Sequence, residues 1–428
     1  MNILKDYLKT IGRFSPEARL YLLATILQGT AWGIYQLFFN FYILSLGYTR
    51  DFLGPLISIP ALTALVVALF AGYLSDLIGR KRAFILGGLL TVAAQFLLLI
   101  LTSRSGLILA SVLRGIGMSI FNVTAAPFLM EQSSEAERTH LFSFNSGIMT
   151  LSSFLGNFVG GSLPSFVAAR LGVASTSSSA YAWSLGITTL LNLLALLPLL
   201  RLRLQKKVLA GSPLAPFRAL WTNRESMTRL LLPSLIVALG AGMLMPFMNI
   251  FFRFRYEMSD EAIGSLFGFG SLAMGVAILI APILAERWGK ARTVAISQGL
   301  SIPFLILLGF VPYVEVAIAA YFFRLALMNL AGPVYQTMVM EEAEAESRGM
   351  AASLYSMIWN LGWALSPSLS GPLQERYGFN PVFLTTIVSY ALSVYLIYRW
   401  FVRQRARQDG PAMQPELANS GGPSAPRS

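Results

Sequence analysis

The sequence predicts an all-α polytopic membrane protein: twelve transmembrane helices in two six-helix bundles related by an internal repeat. Three observations lead there. The 428-residue chain is 55% hydrophobic with only 12% charged residues, and its mean hydropathy is +0.63, far from the balance of soluble domains. Apolar stretches long enough for a bilayer core, which needs ~20 residues per helix, recur twelve times. The chain also resembles itself at an offset of 210 positions: residues 71–82 read Ala-Gly-Tyr-Leu-Ser-Asp-Leu-Ile-Gly-Arg-Lys-Arg and residues 281–292 read Ala-Pro-Ile-Leu-Ala-Glu-Arg-Trp-Gly-Lys-Ala-Arg. At that offset Arg114 falls on Arg324, Met118 on Met328, Glu131 on Glu341 and Gly161 on Gly371. Eleven of the forty-eight positions from 114 to 161 are identical. Self-similarity over half a membrane chain marks a repeat architecture.

The elements follow in order. Residues 3–11 place Ile3, Leu4, Tyr7, Leu8 and Ile11 on one side, with Lys5 and Lys9 off it, as in a short interfacial helix. Spans are expected over 19–46, 52–75, 83–102, 106–130, 139–166 and 180–200, then over 227–252, 261–285, 292–312, 315–339, 349–374 and 380–402. Residues 1–203 thus form the N-terminal six-helix bundle and 227–403 the C-terminal one. Between them, 204–226 carries Lys206, Lys207, Gly211, Pro213 and Pro216 and reads as a cytoplasmic linker. Residues 404–428 are rich in Gly, Pro and Ser and read as a disordered cytoplasmic tail. Helices are the only open-ended way to satisfy backbone groups in hydrocarbon.

Charge sets the orientation. With a cytoplasmic N-terminus, 24 of the 32 Lys and Arg residues fall inside and six outside, which places both termini in the cytoplasm. The net charge of +12 is then topology beside an anionic leaflet, and nucleic acid is not an expected partner. With no cysteine, disulfides and thiolate chemistry are excluded. No cleavable signal is expected before the first span. No metal cluster, phosphate loop or nucleophile–base pair stands out, so neither cofactor, metal nor enzymatic activity is expected. His140, the lone histidine, reads as a surface residue.

The run Gly72-Tyr-Leu-Ser-Asp76-Leu-Ile-Gly79-Arg80-Lys81-Arg82, between the second and third spans, resembles the signature loop of the major facilitator superfamily. The degenerate second copy at 281–292 and the twelve spans extend the resemblance over nearly the whole chain. It implies a transporter with alternating access. It also implies gating roles for Asp76, Arg80 and Glu131, with Glu286, Arg292 and Glu341 as the mirrored set. The acids would meet the starts of the opposite half's helices, near Ser347–Met350 and Thr139. In the fifth span, Gly147, Gly156, Gly160 and Gly161 resemble the glycine motif of drug/proton antiporters, with Asn157 where that motif has proline. Small residues let helices approach closely.

Arg114 and Arg324 each lie ~10 residues inside a span, or ~15 Å deep, and a charge at that depth is costly. Helical spacing groups Arg114 with Met118, and Arg324 with Tyr321, Met328 and Tyr335. The first span collects Gln28, Trp32, Tyr35, Gln36 and Asn40 in one sector. Asn249 stands in the seventh, and Trp359 and Asn360 in the eleventh. These are the candidate substrate-binding residues. Methionine and aromatic walls suit amphiphilic cargo of variable shape. The leading expectation is an exporter of amphiphilic small molecules in the plasma or inner membrane, exchanging them for protons and acting as a monomer. The alternatives are a carrier of an anionic or zwitterionic, lipid-like solute held by Arg114 and Arg324, and a receptor or scaffold that transports nothing.

Overall fold

The computed structural model describes residues 14–203, 224–342 and 348–403. The interfacial helix expected at 3–11, most of the linker, Ser347 and the tail at 404–428 lie outside the described residues, as does the side chain of Thr139. The protein is all-α, and each of the twelve expected spans coincides with a helix. In the first half these are α1 (Pro16–Ser45), α2 (Arg50–Ile78), α3 (Arg80–Ile100), α4 (Arg104–Glu131), α5 (Glu135–Gly160) and α6 (Ser178–Leu200), with a short helix Leu163–Leu171 after α5. The second half has α7 (Arg224–Leu244), α8 (Asp260–Trp288), α9 (Lys290–Phe310), α10 (Val314–Glu342), α11 (Arg348–Tyr377) and α12 (Asn380–Ile397). Among the described residues, ten helices are long and apolar enough to cross a bilayer. The other two long helices, α5 and α11, carry more Ser, Asn and Gly.

Local chemistry sets the helix ends. Ser15, Ser103, Ser177 and Ser259 each accept a hydrogen bond from the N–H three residues on, capping α1, α4, α6 and α8. The α2–α3 and α8–α9 connections are each a single glycine. Gly79 has φ 90°, ψ 147° and Gly289 has φ 81°, ψ 148°. A side chain would be strained in that region. These glycines are 210 positions apart, so the repeat in sequence is also a repeat in backbone shape.

The packing is symmetric under exchange of halves. In the first half α1 packs on α5 and α6, α3 on α4 and α6, and α2 on α4. In the second, α7 packs on α11 and α12, α9 on α10 and α12, and α8 on α10. The halves meet chiefly through α2 with α11 and α5 with α8. A Cβ on Gly54 would collide with the Pro367 carbonyl, and one on Gly264 would sit 2.7 Å from the Cα of Gly161. These contacts gather at the face opposite the Gly79 and Gly289 loops. There Arg50 N–H donates to Glu375 at 3.0 Å, and Ser368 N–H to Ser58 at 3.0 Å. Asp260 of α8 pairs with Arg253 and accepts from Tyr181 of α6 at 3.2 Å. This clasp face is shut, whereas Gly147 and Gly332, nearer the loop face, meet nothing within 4 Å.

The seventh span departs from a simple rod. It runs as α7, a 3-10 turn at Met245–Phe247 and a short helix Met248–Tyr256. Pro246 has no N–H to continue the ladder, and the carbonyls it frees need other donors. The fifth span likewise ends at Gly160 rather than running to 166.

Candidate functional site

Two cavities are built from the midsections of these helices. The larger, about 300 Å³, lies between the halves. It is walled by Trp32 and Gln36 of α1, Ser153 and Asn157 of α5, Met245 and Met248 at the α7 break, and Tyr321, Arg324 and Met328 of α10. Trp359 and Trp363 of α11 and Tyr390 of α12 also line it, with Phe267, Ser271 and Met274 from α8, Ala241 of α7 and Leu325 and Asn329 of α10. The smaller, about 110 Å³, lies inside the first half and is lined by Gln28, Trp32, Tyr35, Gln95, Arg114, Met118, Asn122 and Asn192 among others. Trp32, 37% exposed, belongs to both walls.

The two repeat-related arginines are held differently. Arg324 is 3% exposed. Its Nη2 donates to the Tyr390 hydroxyl and its Nη1 lies 2.7 Å from the Met245 sulfur. Its Nε has no partner among the described residues. Arg114 is 7% exposed, with its guanidinium carbon 3.2 Å from the centre of the Tyr35 ring and 5.6 Å from that of Trp32. Its Nη1 has no hydrogen-bond partner among the described residues. A guanidinium over a π face is attracted by the ring quadrupole, but the ring carries no counter-charge.

Several sequence candidates lie elsewhere. Asn40 and Asn249 line neither cavity. Asn40 Nδ2 donates to the Pro246 carbonyl at 2.7 Å and to Asn249 Oδ1 at 2.8 Å, while Asn249 Nδ2 donates to the Leu37 carbonyl at 2.9 Å. The amides thus satisfy the backbone of the broken α7 and tie it to α1. Tyr335 borders a recess of about 30 Å³ within the second half and donates to the Leu230 carbonyl at 2.6 Å. Asn360 is exposed and, among the described residues, reaches only Ser356 of its own helix, at 3.5 Å.

Around the loops, Arg80 bridges Asp76 at 2.6 Å and Glu131 at 3.2 Å, all within the first half. In the mirrored loop Lys290 pairs with Glu341, while Arg292 is exposed. Lys290 begins α9 directly after Gly289, as Arg80 begins α3 after Gly79, so position in the repeat rather than guanidinium chemistry selects the partner. Glu286 is exposed near the end of α8. Of the motif glycines, Gly156 and Gly160 abut Thr30 and Ile34 of α1 and Gly161 abuts α8, whereas Gly147 faces open space. Sequence reasoning did not place Tyr390, Ser153 and Asn157 at the site. Asn157 was visible as the residue replacing the motif proline, but Tyr390 gave no signal.

A family model described as Major Facilitator Superfamily matches residues 21–367 and 230–426. The chain is 26% identical over 202 residues to the MFS-type transporter YdeE of Escherichia coli (strain K12), covering 45% of the chain and 50% of that relative. It is 23% identical over 388 residues to the quinolone resistance protein NorA of Staphylococcus aureus (strain MRSA252), covering 86% of the chain and 92% of NorA. Among solved structures it is similar to a mutant of the nucleoside transporter NupG, with a TM-score of 0.74 at 14% identity, covering 90% of the chain and 100% of that structure.

Proposed function

The chain belongs to the Major Facilitator Superfamily, and from that membership we propose that it exports amphiphilic small molecules by alternating access, in exchange for protons. The cavity between the halves is the cargo site, and its lining carries the reading. Tryptophan, tyrosine and methionine side chains make half of the wall, and Arg324 is its one charged residue among those described. Apolar aromatic walls with a few convergent polar groups are what small-molecule sites are made of. A desolvated arginine repels cationic cargo and attracts anionic cargo. Arg324 therefore favours an amphiphile with an anionic or zwitterionic head, which joins the exporter reading to that of an anion carrier. The name of the NorA relative accords with the export direction.

In this reading the loop face is cytoplasmic, both termini lie inside, and the membrane is the cell membrane. The structure then corresponds to the state shut on the outside by the α2–α11 and α5–α8 clasp. The loop acids and Arg80 would form the opposing latch when the halves rock the other way.

Counterflow in proteoliposomes tests the proposal, with anionic, neutral and cationic amphiphiles of matched size, with and without a pH gradient. Anionic or zwitterionic cargo should exchange fastest, and an imposed gradient should drive its net movement. Preference for cations, or indifference to the gradient, would overturn the cargo or the coupling part respectively.

A further inference from the structure

Arg114 is a buried cation poorly matched by its surroundings among the described residues. It is 7% exposed, and its Nη1 has no partner among the described residues, none of whose carboxylates pairs with it. Its repeat partner Arg324 reaches a hydroxyl and a sulfur, whereas Arg114 has only the faces of Tyr35 and Trp32. A buried cation without a counter-charge is strongly disfavoured. A π face or water softens that cost but cannot neutralise the charge.

We propose that Arg114 forms, inside the first half, a binding site for a small monovalent inorganic anion, distinct from the cargo cavity. The pocket beside it has the matching chemistry. It is lined by four side-chain amides, Gln28, Gln95, Asn122 and Asn192, and by no carboxylate among the described residues. Gln95 accepts from Asn192 through Oε1 at 3.1 Å, which leaves its own NH₂ uncommitted as a donor. Neutral donors around one guanidinium are what an anion requires. Size separates this site from the cargo site. At about 110 Å³ it is far below the ~300–1,000 Å³ of drug-sized ligand sites, yet it has room for an ion and a few waters at ~30 Å³ each. Trp32 is a wall of both cavities, so an anion at Arg114 fixes a side chain that cargo touches. Cargo affinity should then depend on the anion, and anion affinity on cargo by the same factor.

The site rests on the first half alone and stands whether or not the cargo reading does. The test uses the full chain in nanodiscs, with chloride exchanged for gluconate at constant ionic strength. Thermal unfolding should show a saturable rise in midpoint with chloride, absent in Arg114→Gln and retained in Arg324→Gln. Bromide should quench tryptophan fluorescence with a saturable component that disappears in Trp32→Phe, a readout that holds even where Arg114→Gln fails to fold. Absence of any saturable chloride dependence overturns the proposal. So does chloride dependence that persists in Arg114→Gln, or saturable quenching that persists in Trp32→Phe.

Discussion

Arg324 and Asn40 show how differently two polar residues in apolar helices can be used. Arg324 keeps Nε without a partner among the described residues at the cavity between the halves. Arg324→Lys should keep the charge but lose the forked geometry that grips a carboxylate or phosphate. Affinity for an anionic amphiphile should fall about tenfold, since hydrogen bonds to charged groups contribute about 1.5–3 kcal/mol. Calorimetric titration measures this, and unchanged affinity would remove Arg324 from the site. Asn40→Leu should act on stability instead. It leaves the Pro246 carbonyl without its side-chain donor and Asn249 Oδ1 with only the Ile250 N–H, at a cost of about 1–3 kcal/mol. The melting temperature should drop while cargo affinity is retained. Both residues were conspicuous in sequence because a charge or amide inside an apolar run has few innocuous explanations. Their partners were not: Tyr390 lies two helices beyond Arg324, and Pro246 lies 206 positions beyond Asn40.

Helices α5 and α11, the two that fall short of a clear hydropathy signal, each pack on both halves, as α2 and α8 also do. Contact with protein on several sides permits their Ser, Asn and Gly content, because polar groups avoid lipid rather than neighbours. At the clasp, Gly54→Leu should wedge α2 away from α11, because the new side chain collides with the Pro367 carbonyl. Spin labels at the outer ends of α2 and α11 should then report longer distances, with the protein shifted toward the state open at that face. Distances like those of the wild type would show that the contact does not hold the clasp. The glycine motif in α5 was readable as small-residue packing, and Gly156, Gly160 and Gly161 do sit at helix contacts. Nothing in its spacing distinguished them from Gly147, which packs on nothing.

Asp76 and Glu131 engage Arg80 within one half while the clasp is closed, so a gating role proposed for them would be exerted in the opposite state. Asp76→Asn and Glu131→Gln should slow transport more than they weaken binding, because they bias a two-state equilibrium without touching cargo. Label distances across the loop face should shift toward the parted arrangement, and wild-type rates and distances in both variants would sink the latch. Span number, the basic loops and the 210-residue repeat are properties of order along the chain. Run length against bilayer thickness and charge against the membrane face are one-dimensional constraints, and they were legible before any fold was known. Helix partners were not. Lipid is as apolar as a neighbouring helix, so Phe70, Leu279 and Leu369 remain exposed, and hydropathy cannot tell a lipid-facing side from a packed one. The separation of Arg114 and Arg324 into two cavities, the choice of Lys290 over Arg292, and the reach of Asn40 to a broken α7 arise where distant segments meet, and tertiary packing settles them.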